Sequence, residues 1–317
     1  MLFRSWIARS PRLRKLFGDR YAEASYMADW REAFEANARL DVKRCNITDL
    51  LEFRSHRPDI KDYDLVVILH SAAGDRMSVL NHTASWFQGR RGKLAMFIGN
   101  EYDLLDEKIG FATASGADYI CTQLPLPAAR ALYDGTRALI VAMPHALNPR
   151  VYRPRPDIER NIDVGFVGDL YDRLIGDRQR TDIVRFFRDR GAAYGLRCEI
   201  RTRRMPREDW AEFLSSCLCV TGAESGTYYL QRNGEALACA KKYVKRHPTA
   251  SFTTVHQACF EGCPSALNGK AISSRHLEPI GTRTCQVLIE GFYNGILEAD
   301  VHYLRSEERR VGKECRL

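Results

Sequence analysis

The sequence predicts an α/β protein of two doubly wound, parallel-sheet domains. Short apolar runs ending in polar or small residues alternate with helical patterns, a proline-punctuated stretch divides the chain near its middle, and 317 residues suffice for two separate cores.

Residues 1–20 read as a basic arm. Arg4, Arg9, Arg12, Arg14 and Lys15 interleave with Leu2, Phe3, Trp6, Ile7, Leu13, Leu16 and Phe17. Such a segment can make weak peripheral contact with an anionic membrane surface, or it is an ordinary surface segment interrupted at Pro11. The first domain, 21–147, opens with a helical pattern over 21–38 and an extended stretch over 41–47. Apolar runs at 65–69, 94–98, 119–121 and 138–142 are its strands, and 77–87, 107–115 and 127–133 its helices. In parallel sheets ligands collect beyond the carboxyl ends of the strands, so His70, Asp75, Arg76, Asn100, Glu101 and Gln123 share one rim.

Asn148-Pro149-Arg150-Val151-Tyr152-Arg153-Pro154-Arg155-Pro156 is too rich in proline for helix or central strand, so 148–160 reads as a linker. The second domain, 161–304, repeats the alternation: strands at 164–167, 198–201, 218–220 and 285–289, and helices at 178–190, 207–215, 235–246 and 278–284. Two such domains joined by a hinge are expected to form a cleft between opposing strand ends.

Composition excludes several classes. At 45% hydrophobic and 28% charged the chain is globular rather than disordered, and no apolar run approaches a membrane span. The formal charge of +8 comes from arginines interspersed with acids, so no nucleic-acid partner is expected. Ten cysteines without a CxxC pair or a secretory leader read as reduced thiols in a cytoplasmic protein. His256, Cys259 and Cys263 lack a fourth ligand at zinc-site spacing.

The residues at the strand ends carry a resemblance. Pro144-His145-Ala146-Leu147-Asn148 with Tyr152-Arg153-Pro154, then Asp163-Val164-Gly165-Phe166-Val167-Gly168, are similar to the hinge and first C-domain strand of GT-B glycosyltransferases. Gly222-Ala223-Glu224-Ser225-Gly226-Thr227 and Ser273-Ser274-Arg275-His276-Leu277-Glu278-Pro279-Ile280-Gly281-Thr282 resemble the C-terminal half of the "glycosyl transferases group 1" set, in its spore-maturation-protein-like branch. The resemblance implies two Rossmann-like domains facing a cleft, and hexosyl transfer from a nucleotide-diphosphate sugar to an unidentified glycan, lipid or protein acceptor. It implies no cofactor beyond that donor.

Residue by residue, the resemblance places the donor against Gly168, Arg173, Arg178, Gly222, Ser225, Arg275, Glu278 and Thr282. Gly168 would admit the diphosphate backbone, arginines and helix amides would meet its charge, and Glu278, opening a short helix, would accept from the ribose hydroxyls. Glu224, a catalytic candidate, would face the sugar or the pyrophosphate with Ser225 and the loop amides. The family's Glu-x7-Glu pair is not reproduced, because Lys270 stands where the first acid belongs. The acceptor-side base is expected on the first domain, with His70 foremost because imidazole titrates near neutrality and with Asp75 and Glu101 as alternates. Asp62-Tyr63-Asp64 precedes its strand, so no metal-binding DxD is expected at a strand end and transfer reads as metal-independent. A nucleotide-sugar epimerase and a non-catalytic polyanion-binding protein are the alternatives.

Residues 305–316 resemble the translation of a short-read sequencing adapter. That reading makes 305–317 a non-native tail and the second domain truncated after Leu304.

Overall fold

Val66, Val67, Ile68 and Leu69 are all buried, which a strand with one solvated face does not allow. Such runs pair in parallel and are covered by helices on both sides. The computed structural model describes residues 2–4, 25–47, 49–74, 77–263 and 267–306. They fall into two units dividing between Pro144 and His145, with Leu230–Glu235 grouped with the first.

The first unit holds β1 (Leu2–Arg4), α1 (Ser25–Glu35), β2 (Arg44–Asn46), α2 (Leu50–Ser55), β3 (Leu65–Ile68), α3 (Ser78–Asn81), β4 (Lys93–Phe97), α4 (Leu105–Ser115), β5 (Tyr119–Thr122), α5 (Leu126–Leu132) and β6 (Leu139–Ala142). Its strands run parallel in the order β2-β1-β3-β4-β5-β6. Val67, Leu69, Ala95, Phe97 and Cys121 form one face of its core, against Trp30 and Phe34 of α1.

The second comprises β7 (Ile162–Val167), α6 (Asp172–Ile175), α7 (Gln179–Arg190), β8 (Cys198–Arg201), α8 (Arg207–Ser216), β9 (Cys217–Gly222), α9 (Glu235–Arg246), α10 (Phe252–Cys259), α11 (Ser274–Thr282), β10 (Cys285–Ile289) and β11 (Leu304–Ser306). The order is β11-β10-β9-β7-β8, again all parallel. Alternation along β7 sends Val164 and Phe166 to a core with Ile183, Val184 and Phe187 of α7. Val167 points oppositely, to Trp210, Ala211, Phe213 and Leu214 of α8. The sheet is therefore doubly wound, and its strand order reverses between β7 and β9. That crevice is where such folds hold ligands.

The expected class, α/β with two Rossmann-like parallel sheets, is the class observed. Particular elements differ. Leu2–Arg4, assigned from sequence to the basic arm, pairs as β1 between β2 and β3; residues 5–20 of the arm lie outside the described residues, and with them most of the expected membrane contact. Residues 77–87 divide into α3 and a 3-10 turn, Ala84–Phe87. The linker 148–160 is packed in part, because Tyr152 is buried in the α8-side core and the backbone of Gly281 lies against it. Arg305 and Ser306, placed in the tail, pair with β10 as part of β11; residues 307–317 lie outside the described residues. The cysteines are not all reduced: Cys239 of α9 and Cys259 of α10 form a disulfide, and α10 itself was not anticipated. Among the described residues no helix is long and apolar enough to cross a membrane.

One buried cation organises the loop after β4. Lys108 of α4 is 0% exposed, and its Nζ donates to the carbonyls of Gly99 (2.6 Å), Asn100 (2.9 Å) and Asp103 (2.6 Å). The ammonium replaces water for three carbonyls that no strand or helix satisfies. Lys108→Met should remove the donor these carbonyls share, leaving Asn100 only the Asp103 amide, and cost about 3 kcal/mol. Urea unfolding with an unchanged slope and a lowered midpoint checks this; an unmoved midpoint would refute it.

Candidate functional site

In the second unit the carboxyl end of β7 delivers Gly168. A Cβ there would lie 2.3 Å from Nη1 of Arg275, so only glycine lets that guanidinium lie on the strand end. Arg275 reaches back from α11, donates to the Val167 carbonyl and lies over the Trp210 ring at 6.0 Å. Burial, and then the neighbouring Arg180, depress its pKa below the ordinary value.

Arg180 enters from α7. Its guanidinium donates to the Tyr171 hydroxyl (2.8 Å), to Ser225 Oγ (3.1 Å) and to the Glu224 carbonyl (3.4 Å). Burial alone would raise the Tyr171 phenol; Arg180, with Arg275 and Lys270 behind it, overrides this and holds it below its usual value. Two arginines thus line a cavity of about 30 Å³ with Gly222, Ala223, Ser273 and His276, room for about two water molecules or one compact anionic group.

The N-terminus of α11 opens onto the same cavity. His276 Nδ1 accepts from the Ser273 amide at 2.9 Å, so Nε2 carries the proton and faces the Ala223 carbonyl at 3.2 Å. Burial, reinforced by Arg180, depresses the ring to about 3, so it stays neutral. This end of the helix contributes oriented amides and a positive dipole without adding another titrating charge.

The donor residues expected from sequence divide into two groups. Gly168, Gly222, Ser225 and Arg275 gather around the cavity. Arg173 instead donates to the Pro248 and Ala250 carbonyls at 2.8 and 2.9 Å, tying a distant loop. Arg178 is exposed and paired with Asp182 at 2.6 Å. Thr282 is buried and donates to Pro279. Glu278 does not open its helix: the Ser273–His276 capping interaction starts α11 four residues earlier. Glu278 is 1% exposed, and Trp210 Nε1 donates to its Oε2 at 2.7 Å. Lys270, at the place of the missing acid, is buried in an ion pair with Asp177.

Arg180 was missed, although a signal was present. It shares a helical face with Ile183, Val184 and Phe187, so the phase of the apolar stripe turns it toward the sheet, while Arg178 is turned to solvent.

The three expected catalytic side chains are all enclosed. Glu224 Oε1 accepts from the Tyr293 amide at 2.7 Å, and a Cβ on Gly291 would meet Oε2 at 2.5 Å. The carboxylate thus seats the loop after β10, and burial raises its pKa. His70 is 1% exposed, with the rings of Tyr26, Trp30 and Phe97 at 5.8, 5.6 and 5.4 Å. Asp75 and Arg76 lie outside the described residues. Glu101 accepts from Thr122 Oγ1 and from the Tyr133 hydroxyl at 2.6 Å. Burial pushes its carboxyl up to about 7, against the opposing pull of those hydrogen bonds and of Lys108.

No family model matches the sequence, and no curated protein matches it. Among solved structures the chain is similar to an alpha-glucosyltransferase in complex with UDP-glucose and DNA containing an abasic site, at 12% identity and a TM-score of 0.42, over 77% of this chain and 65% of that one. It is also similar to an alpha-glucosyltransferase in complex with UDP and a 13-mer DNA containing a HMU base, at 10% identity and a TM-score of 0.45, over 91% of this chain and 78% of that one. This chain therefore spans slightly less than two thirds of the first of these proteins.

Glu101 gives a pH test. Its carboxyl titrates near 4.5 when unfolded and near 7 when folded, so the folded protein holds the proton more tightly. The stability that this proton confers is fully present below about pH 4.5 and is lost as pH rises through 7. Between pH 5 and 8 the wild type should lose on the order of 2 kcal/mol relative to Glu101→Gln. Thermal melts of both proteins across that range would show parallel profiles if the carboxyl titrated normally.

Proposed function

We propose that the protein is a glycosyltransferase using a nucleotide-diphosphate sugar. The observation that supports this best is the pairing of Arg180 and Arg275 at the carboxyl ends of β7 and β9, beside the N-terminus of α11. An arginine fork suits two adjacent phosphoryl groups, and enclosure strengthens its charge. As the glycosidic bond to the donor breaks, negative charge grows on the departing diphosphate. Arg180, Arg275 and the α11 amides neutralise that charge, and the reading asks for no metal at this step.

Gly168 gives the Arg275 guanidinium its place on the strand end, Gly222 lines the cavity, and Ser225, held by Arg180, adds a hydroxyl at the rim. Arg173 and Arg178 are committed elsewhere and have no part in this reading. Among His70, Glu101 and Glu224, Glu101 is the group whose titration near neutrality suits accepting the acceptor's proton. Trp210 and Glu278 position Arg275 from behind, through the indole that underlies its guanidinium.

The test is calorimetric titration with UDP, GDP and ADP, followed by their glucose conjugates and acceptor panels of glycan, lipid, peptide and duplex DNA. One nucleoside diphosphate is expected to bind, and Arg180→Ala should weaken it at least tenfold, the loss expected for a charge-assisted hydrogen bond. Inorganic polyphosphate binding equally well, with steep salt dependence, would replace this reading by a non-catalytic polyanion binder. Sugar conversion without any acceptor would replace it by an epimerase. Arg180→Ala leaving the affinity unchanged would remove the cavity as the donor site.

A further inference from the structure

A second constellation lies in the first unit, outside everything used above. Cys45 of β2, Glu52 of α2 and His56 at the C-terminal cap of α2 bring a sulfur, a carboxylate oxygen and a ring nitrogen within 4.8 Å of one another. We propose that these three side chains bind a zinc ion, with water completing a tetrahedral set.

The local fold explains why they meet. Asp49 caps α2 by accepting from the Leu51 and Glu52 amides at 3.1 Å each, which fixes where the helix starts. Glu52 and His56 then stand four residues apart on one helical face, the spacing at which two side chains address a common point. β2 runs just before the helix and delivers Cys45, which is 0% exposed. The three atoms lie within 4.8 Å of one another, and the metal would draw them to the shorter ligand spacing of a tetrahedral zinc.

Each half-exposed ligand is also held from behind. The Asn46 amide donates to Glu52 Oε1 at 2.9 Å, which orients the carboxylate and leaves Oε2 to coordinate. His56 Nδ1 lies 3.4 Å from Asp59 Oδ2, and Asp59 is fixed by Lys43 Nζ at 3.0 Å. Coordination through Nε2 would keep an Nδ1–H directed at that carboxylate, an arrangement that zinc-bound histidines characteristically have. Thiolate, imidazole and carboxylate together suit zinc rather than magnesium or calcium. On binding, the Cys45 thiol gives its proton to solvent and the thiolate bonds the metal, with no change of oxidation state, so affinity should rise with pH. The ion would clamp α2 onto β2 at the edge of the first sheet, a structural role independent of the donor cavity.

The probe is zinc alone, titrated into metal-stripped full-length protein in competition with a chromophoric chelator, with cobalt substitution as the spectroscopic readout. One equivalent should bind, cobalt should show a thiolate charge-transfer band, and zinc should raise the melting temperature. His56→Gln and Cys45→Ser should each weaken zinc at least tenfold and abolish the thermal shift, and Asp59→Asn should weaken it about tenfold as a supporting partner. His56 is half-buried, and circular dichroism of His56→Gln checks that its fold is kept, so the proposal does not hang on the buried cysteine variant. Absence of stoichiometric binding, or binding that both His56→Gln and Cys45→Ser leave unchanged, would overturn it. Nucleotide titrations on the same samples report separately on the cavity of the second unit.

Discussion

The second unit is organised around two part-buried positive charges that face the same cavity. Arg180 and Arg275 approach from different helices, and each is withdrawn from water at a cost of several kcal/mol unless its protons find acceptors. The Val167 and Glu224 carbonyls, the Tyr171 phenol and the Ser225 hydroxyl provide those acceptors, from the end of β7 and from the segments following β7 and β9. None of them carries a full negative charge. The loops at the strand ends thus supply acceptors that hold the two guanidiniums against the cavity.

The neighbouring polar groups are balanced differently. Asp177 and Lys270 cancel one another, Glu278 accepts from an indole donor, and burial, reinforced by Arg180, keeps His276 neutral. The guanidinium pair is the part of this network that lines the cavity, and the Glu278 carboxylate acts on Arg275 from behind it.

Much of this fold was legible in the sequence because strands buried on both faces are written as continuous apolar runs. The run at 285–289 and the helix at 235–246 coincide with β10 and α9. What was not legible depended on contacts between distant segments. β1 is three residues long and is a strand only because β2 and β3 flank it. The start of α11 was misplaced because His276 caps it through a side chain, a role that its residue type does not announce. At the site, the glycines were found from their positions at strand ends, and Arg275 from the resemblance, as a neighbour of Glu278 in the same segment. Arg173 and Arg178 were chosen over Arg180 by nearness to the strand alone, where helical phase decides which arginine turns inward. The Cys45, Glu52 and His56 cluster carries no familiar spacing, since its cysteine and its helix are brought together by the sheet.

The missing carbon at Gly168 ties two remote positions together. Any side chain there would occupy space that the Arg275 guanidinium now fills, so neither residue can change alone without displacing the other. Across divergent sequences the two sites would behave as one inherited unit: glycine with arginine, or a larger residue with a shorter partner, and seldom a mixture. A pair of columns more than a hundred positions apart would then record the geometry of this cavity, even where the sequence between them had drifted beyond alignment.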